Sequence, residues 1–263
     1  MGLPVRMRRS KRPRNETLHV VPSFYAQPKF LSRPRLREWW TVLHPPYTVL
    51  HLSLVTIGAC LAGPVNAARL AVTLVAFLLA VGVGSHSLDE LHGQPLKTSI
   101  PTRELIMASC ISIGGAVALG VVGMILVSPY LAIFIFVGAL IAVGYNLELF
   151  HGRLHTGTVM VFGWGAFPVL TAYFAQHADL GVASFLAAAF GALITQIQRQ
   201  LSSPARDLRR RTASVEGVIV RADGTTVPLN RQTMLEPLEG ALKTLCWSGV
   251  AIAMALAYLQ FRH

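Results

Sequence analysis

Between Ser85 and His92 the chain sets two adjacent carboxylates, Asp89 and Glu90, among two imidazoles, His86 and His92. On a continuous helix Ser85, Asp89 and His92 share one face at i, i+4 and i+7, and His86 and Glu90 share another at i, i+4. Asp89, Glu90 and His92 are a donor set for Mg²⁺, which takes carboxylate oxygen together with the phosphate oxygens of a substrate. The same residues also suit a solvated helix end. A second polar group, residues 145–155, spaces Tyr145, Glu148 and His151 three apart and adds Arg153 and His155. Those cations can meet an anion, although an aromatic and charged collar at a membrane surface has the same composition. The third group, residues 196–211, carries Arg199, Arg206, Asp207, Arg209, Arg210 and Arg211. Guanidinium forks match phosphate oxygens, and arginine runs equally anchor a membrane topology.

All three groups lie at the ends of apolar runs. The chain has 263 residues, 53% hydrophobic and only 13% charged, where a soluble domain carries roughly 25% charged residues; the deficit calls for lipid. Seven runs, at residues 47–62, 66–88, 103–127, 129–145, 158–176, 180–196 and 238–259, approach the roughly 20 apolar residues that cross a bilayer. Glycines such as Gly114, Gly115, Gly120 and Gly123 let helices approach closely inside a membrane bundle. The reading is an all-α integral membrane protein of about seven transmembrane helices packed around a central cavity. Residues 1–46 read as a basic, largely disordered tail without a cleavable signal, and residues 47–263 as the transmembrane domain. The net charge of +11 fits anionic headgroups and topology signals rather than nucleic acid. Cys60, Cys110 and Cys246 have neither metal-ligand nor disulfide-framework spacing.

With the N terminus inside, every Lys and Arg except Arg69 and Arg262 falls on the inner side, the asymmetry expected of cytoplasmic loops. That topology places all three polar groups on the cytoplasmic face, with the bacterial inner membrane as the expected location. In the loop at about residues 199–235, between the sixth and seventh runs, two β-prone stretches flank Asp223-Gly224. Asp-Gly predicts a cytoplasmic β-hairpin closed by a tight type I′ turn.

The layout resembles the UbiA-type intramembrane prenyltransferases. Arg37 and residues 43–48, leading to Gly58, resemble the family's entry into its first helix. Asp89 and Gln94-Pro95-Leu96, followed by Ile100-Pro101-Thr102-Arg103-Glu104, resemble its first aspartate-rich motif and the sequel. Residues 145–155, then Gly163-Trp164-Gly165 and Pro168, are similar to its loop and fifth helix. Residues 196–207 stand where its second aspartate-rich motif does. The resemblance covers roughly residues 37–255 and implies transfer of a prenyl group from an isoprenoid diphosphate to a lipophilic or aromatic acceptor. It implies Asp89 and Glu90 as catalytic residues and Asp89, Glu90, His92 and Asp207 as ligands for Mg²⁺. Arg153, Arg199, Arg206, Arg209, Lys97 and His86 would bind the diphosphate, and Tyr47, Tyr145, Trp164 and Tyr173 would line the prenyl and acceptor pocket.

The departures are chemical. Where the family's first motif has Asn and two Asp, this sequence has Ser85, Asp89 and Gly93; of the second motif's aspartates only Asp207 remains, among arginines. The family usually has nine helices, and against that pattern the last two are expected to be absent here. One Asp and one Glu are a poor basis for two divalent sites, whereas arginines can hold a diphosphate without metal. Two alternatives stand beside the enzyme: a non-catalytic member binding an isoprenoid, quinone-like lipid or membrane partner, and an unrelated helical transporter.

Overall fold

A computed structural model gives the fold over residues 31–262; the basic tail expected before residue 31 lies outside the described residues. Eight helices and one hairpin follow in order among the described residues. They are α1 (Pro34–Leu43), α2 (Pro45–Leu61), α3 (Ala67–Leu91), α4 (Thr102–Leu126), α5 (Leu131–Asn146), α6 (Gly157–His177), α7 (Val182–Arg210), β1 (Glu216–Val220), β2 (Thr226–Asn230) and α8 (Arg231–Phe261).

Helices α3, α4, α6, α7 and α8 are long and apolar enough to cross a membrane by length and composition, while α2 and α5 are apolar but shorter, at 17 and 16 residues. Large apolar side chains face outward, among them Ile125 at 74% exposure, Phe136 at 69% and Leu186 at 68%. Water would not tolerate such a girdle, and lipid matches it. These are the marks of an integral membrane protein.

Residues 34–43, which the sequence reading places within the disordered tail, form the ordered helix α1. Arg35 pairs with Glu104 of α4, and Glu38 accepts from the Ser99 amide and hydroxyl, both at 2.8 Å. The chain then turns at His44, whose left-handed φ of 42° separates α1 from α2. Pro45 and Pro46 begin α2, where a missing amide hydrogen costs nothing. Helix α2 runs through the centre of the bundle. One core joins its Val55 and Ala59 to Phe77, Trp164 and Phe167; another joins its Leu54 and Ile57 to Val169, Ala187 and Ala253.

Starts and joints are fixed locally. Asn66 caps α3 by accepting from the Arg69 amide at 3.1 Å, and Thr156 caps α6 through the Val159 amide at 3.2 Å. A reciprocal capping box between Asn230 and Thr233 opens α8. Two segments depart from α geometry: residues 78–85 of α3 and 162–166 of α6 are π-helical. Such turns are uncommon and concentrate at functional sites.

The hairpin lies between α7 and α8 with Val218 opposite Pro228 and Ile219 opposite Val227. Its turn corrects the type I′ expectation. Only Gly224 takes a positive φ, 81°. The Arg221 carbonyl accepts from the Gly224 amide at 2.9 Å and the Arg221 amide donates to Thr225 at 2.8 Å, which is a three-residue loop ending in a left-handed glycine. Asp223 serves the turn through its side chain, accepting from the Thr225 hydroxyl at 2.7 Å and amide at 2.9 Å. The Thr225 side-chain hydrogen bond, then the amide one, holds the Asp223 carboxyl below the usual range.

Candidate functional site at one end of the bundle

Four segments bring their polar residues together: the α1–α2 turn, the end of α3, the loop from α5 to α6, and the last turns of α7. Asp89, half-buried, lies in electrostatic range of Arg206, Arg210 and His155. Tyr145 is in range of Asp89, Arg206, Arg199 and Glu148. His44 lies in electrostatic range of His86, Arg210 and Arg206, and its ring meets that of His86 edge-on at 5.1 Å. Arg206 and Arg210, one turn apart on α7, share a helix face at i and i+4, and both lie in electrostatic range of Asp89.

The loop after α5 is shaped for this approach. Glu148, Phe150, His151 and Gly152 all take positive φ, folding the chain back so that the His155 ring stacks on Tyr145 at 4.4 Å. His155 Nδ1 donates to the Tyr145 carbonyl at 3.0 Å. Tyr145 in turn meets Trp164 at 4.7 Å, so a continuous aromatic run leads from the charged end into the bundle. Arg199 lies against Gly157, where any Cβ would overlap its guanidinium, 2.7 Å from Cζ.

An apolar cavity of about 390 Å³ adjoins this end. It lies between α3, α4, α5 and α6 rather than at the centre of the bundle, and its inner end reaches Ser85 and Trp164. Asp89 is the next turn along from Ser85, so the charged cluster and the cavity are neighbours. Both π-helical segments contribute to the inner end, through Ser85 from α3 and Gly163 and Trp164 from α6.

Several of the residues expected from the sequence have other work. Glu90, 1% exposed, accepts from the Leu96 amide, the Thr98 amide and the Thr98 hydroxyl, each at 2.9 Å. Its carboxylate fastens the loop after α3. Arg209 forms an ion pair with Glu239 of α8, both side chains only 10% exposed. Asp207 is exposed and pairs with Arg211 at 3.5 Å. His92 leaves the shared face with Ser85 and Asp89 because the helix ends at Leu91 and Gly93 takes φ 90°; it stands 3.8 Å from Glu148 instead. Lys97 and Arg153 are exposed in loops. His86 donates from Nδ1 to the Gly82 carbonyl at 3.2 Å and lies 6.2 Å from Tyr47. Tyr47 packs on the same core as Trp164 and Tyr145. Tyr173, nine residues beyond Trp164, is roughly 13 Å along the axis and lies by Gly181 at the other end.

No family model, no curated protein and no solved structure matches this chain. The site therefore rests on its own geometry. Among the described residues no three His, Cys, Asp or Glu side chains gather to hold a metal ion, and Glu90 is committed elsewhere, so the donors do not fit a paired Mg²⁺ site.

His44, Arg210 and His155 complete the cluster, although the resemblance gave none of them a site role. The sequence signal for His44 was its place immediately before two prolines, which forces a turn beside the end of α1. Burial, then the charges of His86, Arg210 and Arg206, push its imidazole well below the ordinary histidine value. It is neutral in the fold and protonates more readily when unfolded. Its contribution to stability is therefore complete above the unfolded value of about 6.5 and is lost as pH falls from there toward the depressed folded value. His44→Asn, which tolerates left-handed φ, is expected to flatten the acid side of a melting-temperature profile below pH 6.5. An unchanged acid limb would show that His44 does not titrate on unfolding.

Proposed function

We propose that the protein is a divergent UbiA-type prenyltransferase that binds an isoprenoid diphosphate through arginines and transfers the prenyl group to a lipophilic acceptor. The observation that carries this reading is the meeting of Asp89, Arg206, Arg210, Arg199 and His155 beside an apolar cavity with an aromatic run between them. In the proposed topology all seven apolar helices cross the bilayer, and the charged end and hairpin face the cytoplasm of a bacterial cell.

Guanidinium groups supply fixed positive charge and paired donors for phosphate oxygens. As the allylic carbon–oxygen bond breaks, its electron pair leaves with the diphosphate, and Arg199 and Arg206 stabilise the charge that develops there. The π faces of Tyr145 and Trp164 stabilise the cation left on the prenyl group. The acceptor's electron pair forms the new bond, and Asp89 takes the proton it releases. No step is assigned to Mg²⁺.

One observation favours the second reading, a non-catalytic member that binds an isoprenoid: Glu90, engaged by the Leu96 and Thr98 amides in the α3 loop, is not free to act beside Asp89. Purified protein and radiolabelled polyprenyl diphosphate separate the two. Binding is expected with and without Mg²⁺, and Arg206→Ala should weaken it roughly ten- to a hundredfold, the worth of a charge-assisted hydrogen bond. Asp89→Asn should abolish turnover while leaving binding in place. Turnover undiminished in Asp89→Asn would eliminate the assigned mechanism, and binding that no arginine variant weakens would eliminate the clamp.

A further inference from the structure

The cavity carries a second message in its polar atoms. Its wall is apolar and aromatic, with Phe77, Phe134, Trp164 and Phe167 among the lining residues. Asn66 and Arg69 at the far end are hydrogen-bonded to the chain, Asn66 to the Arg69 amide and Arg69 to the Gln176 carbonyl. Thr73 and Thr171 donate to carbonyls one turn back, at 2.7 and 2.8 Å. Ser85 is different. It is 1% exposed and lines the inner end, and its hydroxyl has no hydrogen-bond partner.

A buried hydroxyl without a partner carries a free-energy penalty that a hydrogen-bonding ligand relieves. From Asn66 to Ser85 the cavity follows α3 for at most roughly 28 Å at α-helical rise, and less because residues 78–85 are π-helical, a length comparable with the roughly 30 Å of bilayer hydrocarbon. A ligand of that shape has a long apolar body and one oxygen at its inner end. The lining offers no cation near Ser85 for an anionic head: among the described lining residues the one Lys or Arg, Arg69, is at the opposite end.

We infer that this cavity is a binding site for a neutral, unsaturated long-chain lipid whose single terminal oxygen, hydroxyl or carbonyl, hydrogen-bonds to Ser85. The site is separate from the arginine cluster and deepens the transferase reading, on which it rests, by assigning the cavity to the neutral partner rather than to the diphosphate. Aromatic walls suit the double bonds of such a chain, and the neutral head needs only the one polar contact.

The test uses detergent-purified protein and three tritiated or competing probes: a long polyprenol, a prenylated benzoquinone, and squalene, which has the same kind of body without oxygen. Ser85→Ala is expected to weaken the polyprenol, the quinone or both by roughly five- to tenfold, the worth of a neutral hydrogen bond, while squalene competition is unchanged. Its melting temperature should be equal to or above that of the wild type, because the substitution removes an unsatisfied polar atom; a merely structural serine would lower it. Whichever oxygenated probe responds distinguishes hydroxyl from carbonyl. Ala116→Phe, which narrows the cavity from α4, should exclude all three probes. The inference is overturned if Ser85→Ala leaves both oxygenated probes unaffected or weakens squalene equally, or if Ala116→Phe changes nothing. Polyprenyl diphosphate binding is followed in parallel: its loss with neutral-lipid binding intact overturns the transferase alone, and the converse overturns this site alone.

Discussion

Replacing Arg209 by alanine is expected to destabilise the protein by about 3–5 kcal/mol, the usual consequence of leaving one charge of a buried ion pair without its partner. Arg209 on α7 and Glu239 on α8 are each 10% exposed, and Nε and Nη2 of the guanidinium both donate to Oε1 of the carboxylate. Thermal unfolding in detergent should show the loss for Arg209→Ala and for Glu239→Ala separately. The pair Arg209→Met with Glu239→Leu should recover most of it, since a well-packed apolar pair replaces two desolvated charges at little net cost. Diphosphate binding is the control: because its guanidinium is spent on Glu239, Arg209 should change stability and leave binding to Arg206. A melting temperature unmoved by Arg209→Ala would mean that the pair does not hold α7 to α8.

The second large effect is expected where helices α6 and α7 cross. A Cβ on Gly165 would lie 2.5 Å from the Gly191 carbonyl oxygen, and a Cβ on Gly191 would lie 2.5 Å from that of Gly165. Here the obstacle is backbone, which cannot swing aside as a side chain can. Small residues at such crossings permit the close approach on which membrane helices depend. Either glycine to alanine should cost about 2 kcal/mol or more, overpacking typically costing about 1–3 kcal/mol, and Gly165→Leu should prevent recovery of folded protein. By contrast Gly114→Ala, with nothing within 4 Å of the added carbon, should be silent or slightly stabilising, as expected of a glycine replaced within a helix. Equal melting temperatures for Gly165→Ala, Gly191→Ala and Gly114→Ala would contradict the crossing.

The apolar runs were legible because lipid imposes a single requirement, about twenty apolar residues in sequence, and the five long helices satisfy it. The hairpin was legible from β-prone residues around Asp223-Gly224, but the turn type was not. Asp223 uses its side chain to bond Thr225 instead of adopting positive φ. The distribution of Lys and Arg led the sequence reading to expect the three polar groups on one face of the membrane. Their individual roles were not legible, because these depend on partners far away in the chain: Glu90 on the backbone of the next loop, Arg209 on a residue thirty positions later. Helix spacing also misplaced His92 and Tyr173. The first lies past a helix end set by Gly93, and the second is too far along α6 to reach the polar end.

The π-helical stretch at residues 78–85 sets the azimuth of everything after it. Wider turns consume residues without matching rotation, so Ser85 and Asp89 point in directions that an unbroken α-helix beginning at Ala67 would not give them. The half of α3 that begins at Ala67 can thus keep its rows toward lipid while the half that ends at Leu91 is aimed independently. Gain or loss of one residue within that stretch would turn the acidic end relative to Arg206 and leave the outer packing untouched.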